Sequence, residues 1–273
     1  MTTSSDRAAA LGRAFASAAA EGRAALVPYV TAGHPSPELF PQVLEMLARE
    51  GADVIELGVP FSDPLADGPT IQRASFRAIE QGVDLRWTLD AVARFREEHD
   101  TPVVLFTYLN PVLRHGLDAF LRDAAAAGAQ GVLVTDLPVG SDPEMEGAFA
   151  ASPLDLIRLV APTTLPERVR EIAAAARGFL YYVSRTGVTG AQRELKEGLA
   201  REVAEVRAVT PVPVAVGFGI STAAQAAAVA EIADGVVVGS ALVDRLGREG
   251  LGGGRALLRE LRRATLRGGG AGA

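Results

Sequence analysis

Short apolar runs recur along the chain at 26–30, 54–57, 103–106, 131–134, 156–160, 179–183, 212–216 and 235–238. Most are rich in Val, Ile or Leu, and they are continuous rather than alternating. Runs of that kind mark strands covered on both faces, as in parallel sheets. Between them the apolar positions fall at helical spacing: Leu39, Val43, Leu44 and Leu47; Leu89, Val92 and Phe95; Leu117, Phe120 and Leu121; Val169 and Ile172; Val203 and Val206. Gly51-Ala52-Asp53, Gly128-Ala129-Gln130 and Ala233-Asp234-Gly235 precede three of the runs, the punctuation of a helix end leading into a strand.

Eight strand–helix units over about 250 residues predict an α/β protein built as a (β/α)₈ TIM barrel. An open doubly wound sheet is the rival, but no G-x-G-x-x-G follows the first run. No linker or low-complexity stretch interrupts the pattern, so residues 1–273 are expected to form one domain with an ordered core from about 8 to 266. An extra helix is expected before the first strand, and the glycine-rich tail from Arg267 is expected to be disordered. Two intervals between runs exceed the others, after the second and the sixth strand. Extra length on that face is where barrel enzymes place catalytic loops.

Composition narrows the chemistry. The chain is 48% hydrophobic and 22% charged, with 27 basic and 33 acidic residues and a net charge of −6. That balance disfavours nucleic acid and anionic membranes as partners. There is no cysteine, which excludes disulfides, zinc–thiolate sites, iron–sulfur clusters and thiol nucleophiles. The N-terminal stretch lacks the pattern of a signal peptide, and no run is long enough to span a bilayer; a cytoplasmic protein is expected.

The two long connections carry the most distinctive motifs. In the first, residues 56–69 read ELGVPFSDPLADGP. Glu56 interrupts an apolar strand and shares parity with Val54, opposite to Ile55 and Leu57. A charge there is costly unless paired or used. It is either half of an ion pair with an arginine or a group that meets substrate. Asp67 reads alone as a turn residue of a Pro/Gly loop, yet two carboxyls in different environments also suit proton transfer.

Glycines close the sixth, seventh and eighth strands at Gly187–Gly190, Gly217–Gly219 and Gly239, with Thr189 and Ser240 as hydroxyl donors. Glycine admits close backbone approach, and helix N-termini attract anions, so three such ends together point to a phosphate. Tyr29, Phe61, Phe106, Tyr108, Tyr181, Tyr182 and Phe218 lie near strand ends. Core packing accounts for most of them, whereas Tyr29 and Tyr181 flank the expected site. His34, His99 and His115 lack metal-ligand spacing, and Trp87 reads as packing.

The chain resembles the tryptophan synthase α subunit family. The resemblance rests on Val30–Gly33, Glu56–Pro69, Tyr108–Pro111, Asp136–Pro138, Ser184–Gly190 and Gly217–Ser221, spread over nearly the whole folded chain. It implies retro-aldol cleavage of indole-3-glycerol phosphate to indole and glyceraldehyde 3-phosphate. The only lysine, Lys196, sits in a charged run, unlike a Schiff-base lysine, and no metal-ligand cluster is evident. The electron sink is then the indole itself, protonated at C3.

By the resemblance, Glu56 shuttles the proton and Asp67 meets the indole N–H and offsets the ring's charge. The substrate-binding set it implies is Tyr29, Ile71, Phe106, Tyr181, Thr189, Gly190, Phe218, Gly219, Gly239 and Ser240, with the 184–195 loop closing over them. Apolar neighbours are expected to raise the Glu56 pKa. No cofactor is expected on this chain; pyridoxal phosphate is expected on a partner β subunit, in an αββα heterotetramer that receives the indole. Two departures are visible. Tyr29 stands where phenylalanine is frequent, and Val139-Gly140-Ser141-Asp142 replaces a more acidic pattern. A free-standing lyase, a non-catalytic barrel that activates a partner and another phosphate-binding barrel isomerase are the alternatives.

Overall fold

The computed structural model describes residues 10–184, 192–217 and 219–268. Nine parallel strands form one sheet: β1 (Ala25–Thr31), β2 (Ile55–Gly58), β3 (Val103–Thr107), β4 (Gly131–Val134), β5 (Asp155–Leu156), β6 (Arg158–Val160), β7 (Leu180–Val183), β8 (Val214–Gly217) and β9 (Gly235–Val238). Their order is β5-β4-β3-β2-β1-β9-β8-β7-β6. The two ends of that order are neighbours in the chain, separated only by Ile157, whose N–H bonds the carbonyl of Val132 at 2.8 Å. The sheet therefore wraps round on itself. The fifth predicted strand is present as two short pieces, and the eight staves of a (β/α)₈ barrel result. Eleven helices surround it among the described residues.

The strand faces divide as their parity requires. Val27, Val54, Val104, Leu133, Ile157, Phe179, Ala215 and Val237 meet inside the barrel. Leu26, Ile55, Leu57, Val103, Val132 and Val236 pack outward beneath the helices. Several strand boundaries shift by a residue from the sequence reading, and two positions differ for a visible reason. Val212 and Pro213 precede β8 rather than forming it, since proline cannot donate to the ladder. Leu39 is 41% exposed at the N-cap of helix Phe40–Arg49, one position before the buried stripe begins.

The extra N-terminal helix, Ala10–Ala20, plugs the bottom of the barrel. Its Leu11 and Phe15 join the interior cluster, and the rings of Phe15 and Phe179 lie 5.2 Å apart. Glycine at the strand starts makes room for it. A Cβ on Gly235 would stand 2.7 Å from Phe15, and one on Gly178 would stand 2.8 Å from Leu11.

The punctuation between helix and strand has a second use on this rim. Asp53 accepts the N–H of Leu26 at 2.7 Å, Gln130 that of Val103 at 2.7 Å and Asp234 that of Val214 at 2.9 Å. In each case the side chain just ahead of a strand closes the backbone N–H at or next to the start of its neighbour. Arg23, 3% exposed, grips both Asp53 oxygens at 2.5 and 2.7 Å. The bottom of the barrel is thus closed by apolar plug and polar stitching, and the open end lies at the C-terminal ends of the strands.

Candidate active site

A cavity of about 580 Å³ opens at that end. Its walls bring together Tyr29 from β1, Glu56 from β2, Asp67 and Ile71 from the connection that follows, Phe106 from β3, Tyr181 from β7, and Gly219, Gly239 and Ser240 after β8 and β9. Each of these was singled out in the sequence. Thr189, Gly190 and Phe218 lie outside the described residues, as do Arg185 and most of the loop after β7.

Glu56 sits directly beside Tyr29 in the β1–β2 register, and both side chains point inward. The carboxyl is 1% exposed, and its Oε1 has no hydrogen-bond partner. Among the described residues no cation pairs with it, so the ion-pair reading fails on geometry. Removal from water penalises the charged form, and burial pushes the Glu56 pKa up to about 8.

Asp67 occupies a different environment. It is half-buried, and its Oδ2 accepts the hydroxyl of Tyr108 at 3.0 Å. Burial raises its pKa to about 6, and the Tyr108 bond works against that rise. Two carboxyls on one cavity thus differ in charge near neutral pH, which is what acid–base work by a pair of acids requires.

The remaining walls are mostly apolar. Tyr29 and Phe106 meet edge to face, centroids 5.4 Å apart at 82°. Leu159, Val183, Ile220 and Val237 add aliphatic surface. A flat aromatic group fits such a lining. The far end is polar and built from backbone. The helix starting at Ser240 has Gly239 as an N-cap with no side-chain hydrogen bond, so its first N–H groups are open to a ligand. Gly219 adopts φ of 81°, a left-handed turn that glycine enters without strain.

Several aromatic candidates belong elsewhere. Tyr182 faces outward, with its hydroxyl on Glu202 at 2.6 Å. Phe61 and Tyr108 pack in a tilted pair with centroids 5.2 Å apart, and Trp87 packs against Phe40. His34 is buried with Nε2 on the Val243 carbonyl, and His115 pairs with Asp123.

Sequence reasoning missed three contributors. Tyr108 holds Asp67, although its place after a strand made it one aromatic among seven. Gln225 accepts the N–H groups of Ser221 and Thr222 and so shapes the turn after β8; its spacing from Thr222 is a capping-box signal. Thr135 reaches the wall from beyond β4, and no pattern marked it.

A closed parallel barrel with two carboxyls in unlike environments over an apolar pocket at its C-terminal face has the layout of a barrel enzyme. The family model described as tryptophan synthase alpha chain matches residues 15–264. The chain belongs to the tryptophan synthase alpha chain family, lyases that cleave indole-3-glycerol phosphate.

Relatives agree. A tryptophan synthase alpha chain of Synechococcus elongatus is 48% identical over 256 residues, covering 93% of this chain and 96% of its own. That of Alkalilimnicola ehrlichii is 54% identical over 226 residues, 82% of each. A crystal structure of tryptophan synthase from M. tuberculosis, in an aminoacrylate- and BRD0059-bound form, superimposes with a TM-score of 0.86 at 43% identity, covering 94% of this chain and 98% of the other.

Proposed function

We propose that this cavity cleaves indole-3-glycerol phosphate to indole and glyceraldehyde 3-phosphate, with Glu56 as acid and then base, and Asp67 as the ionised partner of the ring nitrogen. The observation that carries the reading is the contrast between the two carboxyls. Glu56, buried without a partner, holds its proton at neutral pH, whereas Asp67, bonded by Tyr108, has lost its own.

The chemistry then balances within the site. Glu56 gives its proton to indole C3, and the ring becomes an indoleninium cation. Asp67 accepts the ring N–H and offsets that charge, at a pocket where a carboxylate acts more strongly than in water. The Glu56 carboxylate takes the proton of the hydroxyl on the adjoining glycerol carbon. As the aldehyde forms, the electrons of the breaking C–C bond return to the ring. Glu56 ends protonated, ready for another turnover.

Substrate is held at its two ends. The aromatic wall of Tyr29, Phe106, Ile71 and Tyr181 receives the indole. The open helix start at Ser240, with Gly239 and Gly219, receives the phosphate, joined by Thr189 and Gly190; Phe218 completes the substrate-binding set that the family resemblance implies. The chain acts as one barrel domain in the cytoplasm. Its indole passes to a tryptophan synthase β subunit, which carries pyridoxal phosphate, within an αββα heterotetramer.

Indole release from indole-3-glycerol phosphate, measured with and without a β subunit, tests this. Glu56→Gln and Asp67→Asn are each expected to abolish release while the far-UV spectrum stays that of the folded chain. Release at the wild-type rate from either variant overturns its role. Failure of the β subunit to co-purify or to change turnover overturns the assembly and leaves a free-standing lyase.

A further inference from the structure

Tyr108 stands immediately after β3 and is 5% exposed. Its hydroxyl makes two bonds to successive residues of the connection after β2. It accepts the N–H of Ala66 at 3.0 Å and donates to Asp67 Oδ2 at 3.0 Å. A phenol has one proton to give. With Ala66 on the acceptor side, that proton is directed at Asp67. A donor fixed in this way favours the carboxylate over the acid.

The tyrosine is itself immobilised. Its ring lies 5.2 Å from that of Phe61. Its backbone caps helix Leu109–His115, whose first N–H is taken by Asp136 at 2.7 Å. The main chain of Asp67 is held separately, by Gln72 Nε2 on its carbonyl at 3.0 Å. Tyr108 therefore governs the side chain and not the loop path alone, and it leaves Oδ1 as the oxygen it does not use.

We propose that Tyr108 is a positioning residue for the lysis reaction: its hydroxyl clamps Ala66 and Asp67 and so fixes the carboxylate that faces the ring nitrogen. This rests on the reading in which Asp67 is the ionised partner of the substrate. Tyr29 from β1 and Tyr181 from β7 also face Asp67, with Glu56 across the cavity, and Asp136 acts on Tyr108. Of these groups only Tyr108 bonds the Asp67 side chain among the described residues.

The test is the pH dependence of kcat/KM for indole release in three folded proteins: the wild type, Tyr108→Phe and the chain with 3-fluorotyrosine at position 108. Asp67→Asn serves as control. Without the hydroxyl, the acid limb is expected to move up by about one pH unit, so that kcat/KM at pH 6 falls about five-fold while the alkaline limb stays. The more acidic fluorophenol donates more strongly and moves the acid limb the other way. Acid limbs unmoved in both proteins, with Asp67→Asn inactive, overturn the proposal and leave Asp67 its role. Asp67→Asn at the wild-type rate instead overturns the reading beneath it. Should Tyr108→Phe not fold, the isosteric fluorotyrosine protein decides by the same readout.

Discussion

The hydroxyl of Tyr181 occupies the space that a Cβ on Gly217 would fill. The two residues belong to paired strands, β7 and β8, and the tyrosine can lie there because its neighbour has no side chain. Tyr29 lies over Gly58 in the same way on the opposite side. Gly217→Ala is expected to cost about 1–3 kcal/mol through overpacking and to cut kcat/KM at least ten-fold by displacing the tyrosine. In a Tyr181→Leu background the same substitution should cost less stability, because the tighter of its two obstacles has gone and only Val237, 2.9 Å from the added Cβ, remains. Equal costs in both backgrounds, measured by urea unfolding, would show that the tyrosine is not what the Cβ meets.

A bell-shaped pH profile follows from the two carboxyls. Asp67 must be ionised and Glu56 protonated in the free enzyme. The acid limb of kcat/KM is therefore expected near pH 6 and the alkaline limb near pH 8. A profile flat between pH 5 and 9 would contradict the assignment of charge states.

Glu56 also ties stability to pH. Its folded-state pKa lies above the ordinary glutamate value of 4.5. The folded chain thus holds this proton more tightly than the unfolded one, and the contribution is complete below about pH 4.5 and lost as pH rises through about 8. Glu56→Gln removes that slope. Relative to wild type, the variant should gain stability between pH 6 and pH 9, on the order of a few kcal/mol. Denaturant unfolding at the two pH values checks this, and an unchanged difference would place the Glu56 pKa near its unfolded value.

At the barrel bottom the expectation concerns stability alone. Asp53→Ala leaves the buried Arg23 with Glu21 as its one remaining carboxylate among the described residues and opens the N–H of Leu26. A loss of about 3 kcal/mol is expected, lowering the thermal midpoint. The folded fraction should keep wild-type kcat, since the site lies at the other end of the strands.

The barrel was legible in the sequence because eight doubly covered strands leave eight mostly apolar runs at regular intervals. Glu56 was legible because a charge interrupts one of them; parity put it on the face of Val54, and only the closed barrel shows that this face is the inward one. What escaped notice depends on side chains meeting across distant segments. Nothing local to Tyr108 shows that its hydroxyl will meet Asp67, 41 residues earlier. Asp53, Gln130 and Asp234 were visible as punctuation, yet their bonds to strand starts exist only once neighbouring strands are in register. The split of the fifth strand at Ile157 left only Arg158 as a break in an otherwise apolar run, and one charge does not show where strand pairing stops.

The plug at the barrel bottom bears on how the chain is made. Ala10–Ala20 is synthesised before every strand, but its apolar face is completed by Phe179 and by the bare backbone at Gly178 and Gly235. Those residues leave the ribosome more than a hundred and fifty positions later. Until they do, Leu11 and Phe15 have no finished socket, and the emerging chain carries an uncovered apolar helix. Closure of the barrel and burial of its first helix are therefore one late event, set by the arrival of the last strand.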